Sequence, residues 1–216
     1  MWYGKKKRTR RSLKKKTFKR RRYTKIPRKV NQNHMSVCLR TPDTLVSNNN
    51  LSEQYETYRF GLSNCLNYTA YVAMWDQYMI EKIVITWRPI RTQAVVSQNE
   101  AVAPSSFTNI PSVVYARDHD DLSPVTYADT KTRYGAVEKL ATKGHAMKVY
   151  PATLTEIYKS PVTTGYSPQF KTWLDTADAT IPHYGVRLAM EQAEPLGQYT
   201  LECKTKVYVR FKNRVI

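Results

Sequence analysis

The chain has 216 residues, of which 35 are Lys or Arg and 17 are Asp or Glu, so its formal net charge is +18. This length suits one domain with a substantial core. No apolar run approaches the roughly 20 residues that a membrane helix needs, and no apolar segment of a secretory signal follows the charged start. The sequence therefore predicts a soluble domain with an acidic partner and no membrane insertion.

Residues 1–29 form a basic arm. Residues 5–29 contain sixteen Lys and Arg and no acidic residue, and the first carboxylate of the chain belongs to Asp43. Such a segment cannot enter a core, because buried unpaired cations are very costly. We therefore expect an extended or disordered arm, with Pro27 as a hinge into one folded domain of residues 30–216.

The positive charge is concentrated in the basic arm. Without its sixteen cations the chain keeps 19 basic and 17 acidic residues, so residues 30–216 carry only +2. A nearly neutral domain with a cationic tail is typical of nucleic-acid or membrane-surface binding. We favour neutralisation of nucleic-acid phosphates over a solvated tail or a nuclear localisation signal alone, which needs only about five to eight residues. The predicted nucleic-acid-binding residues are Lys5, Lys6, Lys7, Arg8, Arg10, Arg11, Lys14, Lys15, Lys16, Lys19, Arg20, Arg21, Arg22, Lys25, Arg28 and Lys29.

Beyond the arm, the hydrophobic pattern has a period of two residues, which is typical of strands. The clearest predicted strand covers residues 201–212, where Leu201, Val207 and Phe211 share one face with Cys203, Thr205 and Val209. Residues 81–89 show the same alternation. Weaker strand predictions cover residues 35–40, 55–62, 112–118, 145–150, 154–159 and 184–190.

The arrangement of these strands predicts an all-β fold. About eight strands are separated by long polar loops at residues 90–111, 119–143 and 160–182, and a helix of a couple of turns is predicted within residues 67–78, before a strand that starts at Met79. A single eight-stranded antiparallel jelly-roll sandwich accommodates this number of strands with long loops. An immunoglobulin-like sandwich fits less well, because its loops are usually shorter and its strands number about seven.

The sequence contains no pattern typical of an enzyme or a cofactor site. The three cysteines are far apart, and we find no phosphate-binding glycine loop and no catalytic motif. The cluster Asp118, His119, Asp120 and Asp121 has the donor types of a divalent-ion site. We interpret it instead as a polar turn, because adjacent residues point in different directions and no second group of ligands accompanies it. The prediction is therefore no catalytic residue, no metal and no cofactor.

Four segments of the chain resemble the capsid proteins of circoviruses and cycloviruses, small viruses with circular single-stranded DNA genomes. They are "MWYGKKKRTRR" at the start, "YMIEKIVITWRP", "VVYARDHDD" and the final strand "YTLECKTKVYVRF". The resemblance covers most of the chain in order and spacing. One departure is that nine of the sixteen arm cations are Lys, whereas the arms of vertebrate members are rich in Arg. Lysine acts as a point charge and suits binding to the backbone without sequence recognition.

The resemblance implies a structural role in a virion. It implies a jelly-roll shell domain, a T=1 icosahedral shell of about sixty copies with the arms inside, and packaging of the single-stranded DNA genome. It also implies entry into the host nucleus through import receptors and attachment to cells, often through sulfated polysaccharides. The alternative hypothesis is a cellular nucleic-acid-binding protein, such as a ribosomal protein with a basic extension. An enzyme with a nuclear-localisation tail is the third hypothesis.

Overall fold

The computed structural model describes residues 33–48, 52–94, 110–119, 126–159, 164–192 and 197–215. These residues form two short α-helices, α1 (Tyr68–Val72) and α2 (Tyr127–Thr132), two 3-10 helices of one turn (Leu62–Asn64 and Thr176–Asp178), and twelve strands. The strands are β1 (His34–Arg40), β2 (Thr44–Ser47), β3 (Gln54–Phe60), β4 (Trp75–Ala94), β5 (Ser112–Arg117), β6 (Val137–Leu140), β7 (His145–Val149), β8 (Ala152–Lys159), β9 (Thr164–Phe170), β10 (Leu174–Asp175), β11 (His183–Met190) and β12 (Gly197–Arg214). None of the described helices is long and apolar enough to cross a membrane.

The strands form two antiparallel sheets. In sheet A, β12 pairs with β4 on one side and with β1 and β2 on the other, and β7 and β10 pair with the far side of β4. In sheet B, β11 lies between β3 and β5, and β6 pairs with the outer side of β5. The β8–β9 hairpin joins β11 only through the pair of Tyr184 and Ala152. This interleaving of early and late strands in two sheets is a jelly roll, so the predicted fold class is confirmed.

The two strongest strand predictions are confirmed in their facing. On β12, Leu201, Val207 and Phe211 are buried in the core together with Cys203, Thr205 and Val209, and the residues between them are half-buried or exposed. On β4, Ile83, Ile85 and Trp87 are fully buried. The alternation of apolar and polar residues therefore separates an inner face of sheet A from an outer face, as a half-buried strand requires.

The core lies between the two sheets and is rich in aromatic side chains. The Trp87 ring lies 4.6 Å from the Tyr115 ring, and its Nε1 donates a hydrogen bond of 2.9 Å to the Tyr58 hydroxyl. Trp87 belongs to sheet A and the two tyrosines to sheet B. The indole thus fixes the spacing of the two sheets and satisfies its buried N–H at the same time.

The predicted helix within residues 67–78 is wrong for its second half. Helix α1 ends at Val72, and β4 begins at Trp75, four residues before the predicted start. Trp75 and Tyr78 are buried, and Tyr78 pairs with Phe211 on β12. These aromatic residues favour the pleated surface of a sheet, and tertiary pairing with the end of β12 outweighs the local helical pattern.

The predicted number of eight strands and the three predicted long loops are also corrected. Strand β4 continues past Pro89 to Ala94, and its register with β12 shifts where Ile90 is an extra residue. Such a bulge is one of the few places where a strand tolerates proline. The predicted loop 119–143 contains α2 and β6, and the loop 160–182 contains β9 and β10. Their turn-forming residues, such as Pro168 in β9, concealed these short strands.

Helix α2 covers the outer face of sheet B. Tyr127 of α2 packs against Val114 of β5 and Ala189 of β11. Consequently β11 is buried on both faces, including the fully buried side chain of Arg187. Neither of the two described α-helices lies over the outer face of sheet A. Helix α2 covers sheet B instead, and α1 packs its Tyr71 ring against the core residue Phe211. The outer face of sheet A therefore presents its side chains to solvent.

Candidate nucleic-acid interface

The sixteen predicted nucleic-acid-binding residues all lie outside the described residues. The described chain begins at Asn33 and enters sheet A at once, where His34 pairs with Lys212 of β12. The boundary at residues 29 and 30 and the role of each arm cation therefore stay predictions. The described chain begins at one end of sheet A, next to β12.

The outer face of sheet A is strongly basic. Directly opposed residues of neighbouring strands share a face, so the register of β12 with β1 and β4, and of β4 with β7, identifies the side chains that point outward. We call this surface the basic face. Its basic residues are Arg40, Lys82, Arg88, Lys148, Lys204, Lys206, Arg210 and Lys212, and its acidic residues are Glu81, Asp175 and Glu202.

The acidic residues on and beside the basic face neutralise only part of its charge. Arg88 pairs with Glu202 at 2.7 Å, and Arg210 pairs with Glu81 at 2.9 Å. Lys204 contacts Glu202 at 3.2 Å, and these exposed pairs contribute little to stability. Within the described part of the chain, five cations of the face have no carboxylate partner. They are Arg40, Lys82, Lys148, Lys206 and Lys212.

The net charge of residues 30–216 is only +2, so composition alone does not reveal the basic face. Residues 30–216 contain 19 basic and 17 acidic residues in total. The fold places eight of these basic residues and three of the acidic residues on one face, so positive charge is concentrated on the outer face of sheet A. A signal was present in the predicted strand 201–212, because Lys204, Lys206, Arg210 and Lys212 occupy its polar positions.

The cluster at residues 118–121 is not the polar turn that the sequence suggested, at least in its described half. The Asp118 carboxylate is fully buried and pairs with Arg187 at 2.6 Å and with Arg133 at 2.9 Å. His119 packs edge-on against the Phe170 ring at 5.2 Å, and Asp120 and Asp121 lie outside the described residues. Asp118 is therefore a structural counter-ion that connects β5 and β11 to the end of α2.

Two other histidines that the sequence left isolated also have packing roles. The His145 ring lies 4.5 Å from the Tyr115 ring and stacks on Trp87 at 6.0 Å. Burial lowers the pKa of His145, and that of His183 as well. Among the described residues, no group of three or more His, Cys, Asp or Glu side chains is placed to hold a metal ion.

Comparison with known proteins agrees with this fold. The family model of the circovirus capsid protein matches residues 5–215. The 60-mer of the BFDV capsid protein superposes with a TM-score of 0.62 at 15% identity, covering 85% of this chain and 96% of that one. The decamer of the BFDV capsid protein gives a TM-score of 0.53 at 17% identity, covering 83% and 99%. No curated protein matches by sequence. The chain is an all-β jelly roll with a basic face, and the family model matches it over nearly its whole length. The chain therefore belongs to the circovirus capsid protein family.

Proposed function

We propose that this chain is the subunit of a small T=1 shell of about sixty copies that packages a circular single-stranded DNA genome by charge. The observation that supports the proposal most directly is the basic face. It lies on sheet A, and the described chain begins at one end of the same sheet, so the arm that precedes it is attached close enough to this face for both to bind one polyanion. Family membership and the neighbour described as a 60-mer agree with closed assembly.

The sixteen arm cations supply most of the electrostatic attraction. Each Lys or Arg that binds a phosphate releases a condensed counterion, and the affinity then falls steeply with salt. On the folded domain, the basic face adds five cations that have no carboxylate partner among the described residues. Because both parts bind the phosphate backbone, the interaction depends on charge and tolerates any sequence, which a coat protein needs for a whole genome.

Two further roles belong to the same proposal. The arm carries the charge of a nuclear localisation signal several times over, so we infer that import receptors bind it and that the protein reaches the host nucleus. We also infer attachment of the assembled particle to cells through sulfated polysaccharides. The circovirus family membership supports both roles.

The cellular nucleic-acid-binding protein remains the second candidate, and the basic face favours it more than the sequence did. A folded part with a charge of only +2 argued against a ribosomal type of protein, which usually has basic patches on its domain. Electron microscopy of the purified full-length chain separates the candidates. Closed particles of uniform size support the coat protein. Persistent monomers with nucleic acid bound would overturn the coat-protein proposal and support the cellular nucleic-acid-binding protein.

The nature of the packaged genome needs a separate test. Nucleic acid extracted from the particles should be degraded by a single-strand-specific deoxyribonuclease and resist ribonuclease and exonuclease, as expected for a circular single strand of DNA. RNA in the particles would contradict the genome assignment and leave the capsid role intact. For sixteen phosphate contacts with a single strand, the logarithm of the binding constant should fall with the logarithm of the salt concentration with a slope as steep as about −11. An affinity for oligonucleotides that hardly changes between low and high salt would therefore contradict the electrostatic mechanism itself.

A further inference from the structure

We propose that the basic face binds unpaired nucleotides one by one, with aromatic rings that stack on bases and lysines beside them that bind the phosphates. This inference rests on the proposed function and adds a second binding mode to it. The arm binds the backbone by charge alone, whereas the folded face also contacts the bases. Three aromatic residues, Tyr150, Trp173 and Tyr208, support this binding mode, because each lies next to a lysine on or beside the basic face.

The first ring lies in the middle of sheet A. Tyr208 of β12 is directly opposite Lys82 of β4, and the Lys82 ammonium lies 4.4 Å from the centre of the Tyr208 ring. The ring is only half-buried, although it occupies a central strand. The Lys82 ammonium covers this ring face, and the flexible stem of lysine allows the ammonium to move from the ring to a nearby phosphate, which would open the face to a base.

The second ring lies where the described chain begins. Trp173 precedes β10 and reaches across the sheet, so that the Lys212 ammonium lies 4.5 Å from its ring centre. The His34 ring is 6.2 Å from the same indole. Trp75 and Trp87 are both buried in the core, whereas Trp173, the remaining tryptophan of the described residues, is half-buried. An indole that packs on cations and leaves part of its surface in solvent is suited to stacking on a base.

The third ring lies at the end of β7. Tyr150 is 47% exposed, and the ammonium groups of Lys148 and Lys171 lie 4.8 and 6.0 Å from its ring centre. A hydrogen bond from Lys148 is the main cause that lowers the pKa of the Tyr150 hydroxyl. Two lysines around one exposed ring offer a base-stacking surface with a phosphate-binding charge on each side.

The register of the strands arranges these groups in rows across the sheet. Lys148, Val84, Lys206 and Arg40 are consecutive partners on β7, β4, β12 and β1, and three of the four are cations without a carboxylate partner in the described chain. The next row contains Lys82 and Tyr208. Lys212, beside Trp173, lies four residues beyond Tyr208 on the same strand, or about 13 Å. The rings therefore flank a line of phosphate-binding charges, as in single-strand binding grooves.

This arrangement selects unpaired nucleic acid over duplex. In a duplex the faces of the bases are covered by their neighbours in the stack, so a protein ring can reach a base only after unstacking. A single strand offers every base face, and stacking tolerates all four bases because each has a π-face. The basic face should therefore bind a single strand that carries bases more tightly than an abasic strand of equal charge.

The test compares binding of the full-length unassembled chain to two oligonucleotides of equal length, one of thymidylate and one abasic. Wild type should bind the thymidylate strand more tightly. The variant Tyr150→Leu, Trp173→Leu, Tyr208→Leu should lose at least about fivefold of affinity for thymidylate and keep its affinity for the abasic strand. The matched control replaces three exposed tyrosines outside the basic face, namely Tyr55, Tyr134 and Tyr166, with Leu and should behave like wild type.

The outcomes separate this inference from the proposed function. If the triple variant keeps the wild-type preference for thymidylate, the stacking role is overturned, while charge-driven packaging survives. If neither oligonucleotide shows salt-dependent binding to wild type, the proposed function fails. Photo-crosslinking of a bromodeoxyuridine oligonucleotide to the unmodified protein tests the site without any variant that has to fold. Adducts on Tyr150, Trp173 or Tyr208 are expected, and adducts confined to residues 1–32 would refute the assignment.

Discussion

At the scale of single residues, the least expected feature is a charged pair inside sheet B. Arg187 and Asp118 are both fully buried, and Arg133 at the end of α2 reaches the same carboxylate. Charges are tolerated in such a place only when they pair, because removal of one partner leaves the other uncompensated. The contact of Arg133 with Asp118 therefore fixes the end of α2 on sheet B. Breaking the buried pair of Arg187 and Asp118 should cause a large loss of folding stability.

We predict that Arg187→Met lowers the free energy of unfolding by about 3–5 kcal/mol, because it removes the buried partner of Asp118. Arg88→Met, which breaks the exposed pair with Glu202, should cost no more than about 1 kcal/mol. Denaturant unfolding followed by circular dichroism measures both. Equal losses in the two variants would contradict the structural role assigned to Asp118.

The second prediction at this scale concerns pH. His183 is only 3% exposed, and burial lowers its pKa more than its backbone contacts with Ile181 and Phe60 raise it. The folded state therefore binds the proton less readily than the unfolded chain, whose histidines titrate near about 6.5. It follows that stability decreases as the pH falls below about 6.5.

The variant His183→Gln should lose less stability than wild type between pH values of about 7.5 and 5.5, since it removes one proton site of the unfolded chain. His145 has a pKa shift in the same direction and remains in both proteins, so the variant reduces the pH dependence without abolishing it. Thermal melts over this range provide the measurement. An identical decrease in both proteins would show that His183 does not contribute.

At the scale of elements, β12 organises the molecule, since it pairs with β1, β2 and β4 and separates the core from the basic face. Val207→Asp would place an unpaired carboxylate at a fully buried position, so we expect no soluble folded protein. Lys206→Asp, one residue away on the exposed face, should change stability by about 0.5 kcal/mol or less. Soluble yield and thermal melts of the two variants decide this, and equal tolerance would contradict the facing of β12.

At the scale of the whole molecule, the proposed packaging by charge predicts the size of the genome. In the proposed shell, about sixty copies with sixteen arm cations each would deliver about 960 positive charges to the interior. An extended arm of 29 residues reaches at most about 100 Å, so its charges can be distributed through a small cavity. At about one to two nucleotides per arm charge, with small cations neutralising the remainder, the genome should have about one to two thousand nucleotides.

We predict that halving the arm charge shortens or empties the particles without changing the geometry of the shell. The variant replaces eight arm residues with Gln, namely Lys14, Lys15, Lys16, Lys19, Arg20, Arg21, Arg22 and Lys25. Particle density and the length of the extracted nucleic acid are the measurements, and particle diameter by electron microscopy is the control. Full-length genomes in the variant would refute charge matching.

The sequence by itself determined the two properties that depend on local composition and pattern. A run of sixteen cations without an acid cannot be buried in a core, so residues 5–29 predict an arm outside the folded domain, and its binding to nucleic acid stays a prediction. Strict alternation along β12 and the middle of β4 identified their faces, because the period of a strand is fixed by its geometry. Together with the resemblance, this was sufficient for the fold class and for the family.

Only the tertiary structure decided which residues come together across the sheets. Asp118 and Arg187 are far apart in sequence, and their pairing exists only because the end of β5 lies beside β11. The short strands β2, β6 and β10 have too few residues for a pattern of their own, and β9 contains Gly165 and Pro168, so all four form by pairing with neighbouring strands. The basic face arises in the same way: Arg40, Lys82, Lys148 and Lys206 lie on four separate strands, and only strand register gathers their charges on one surface.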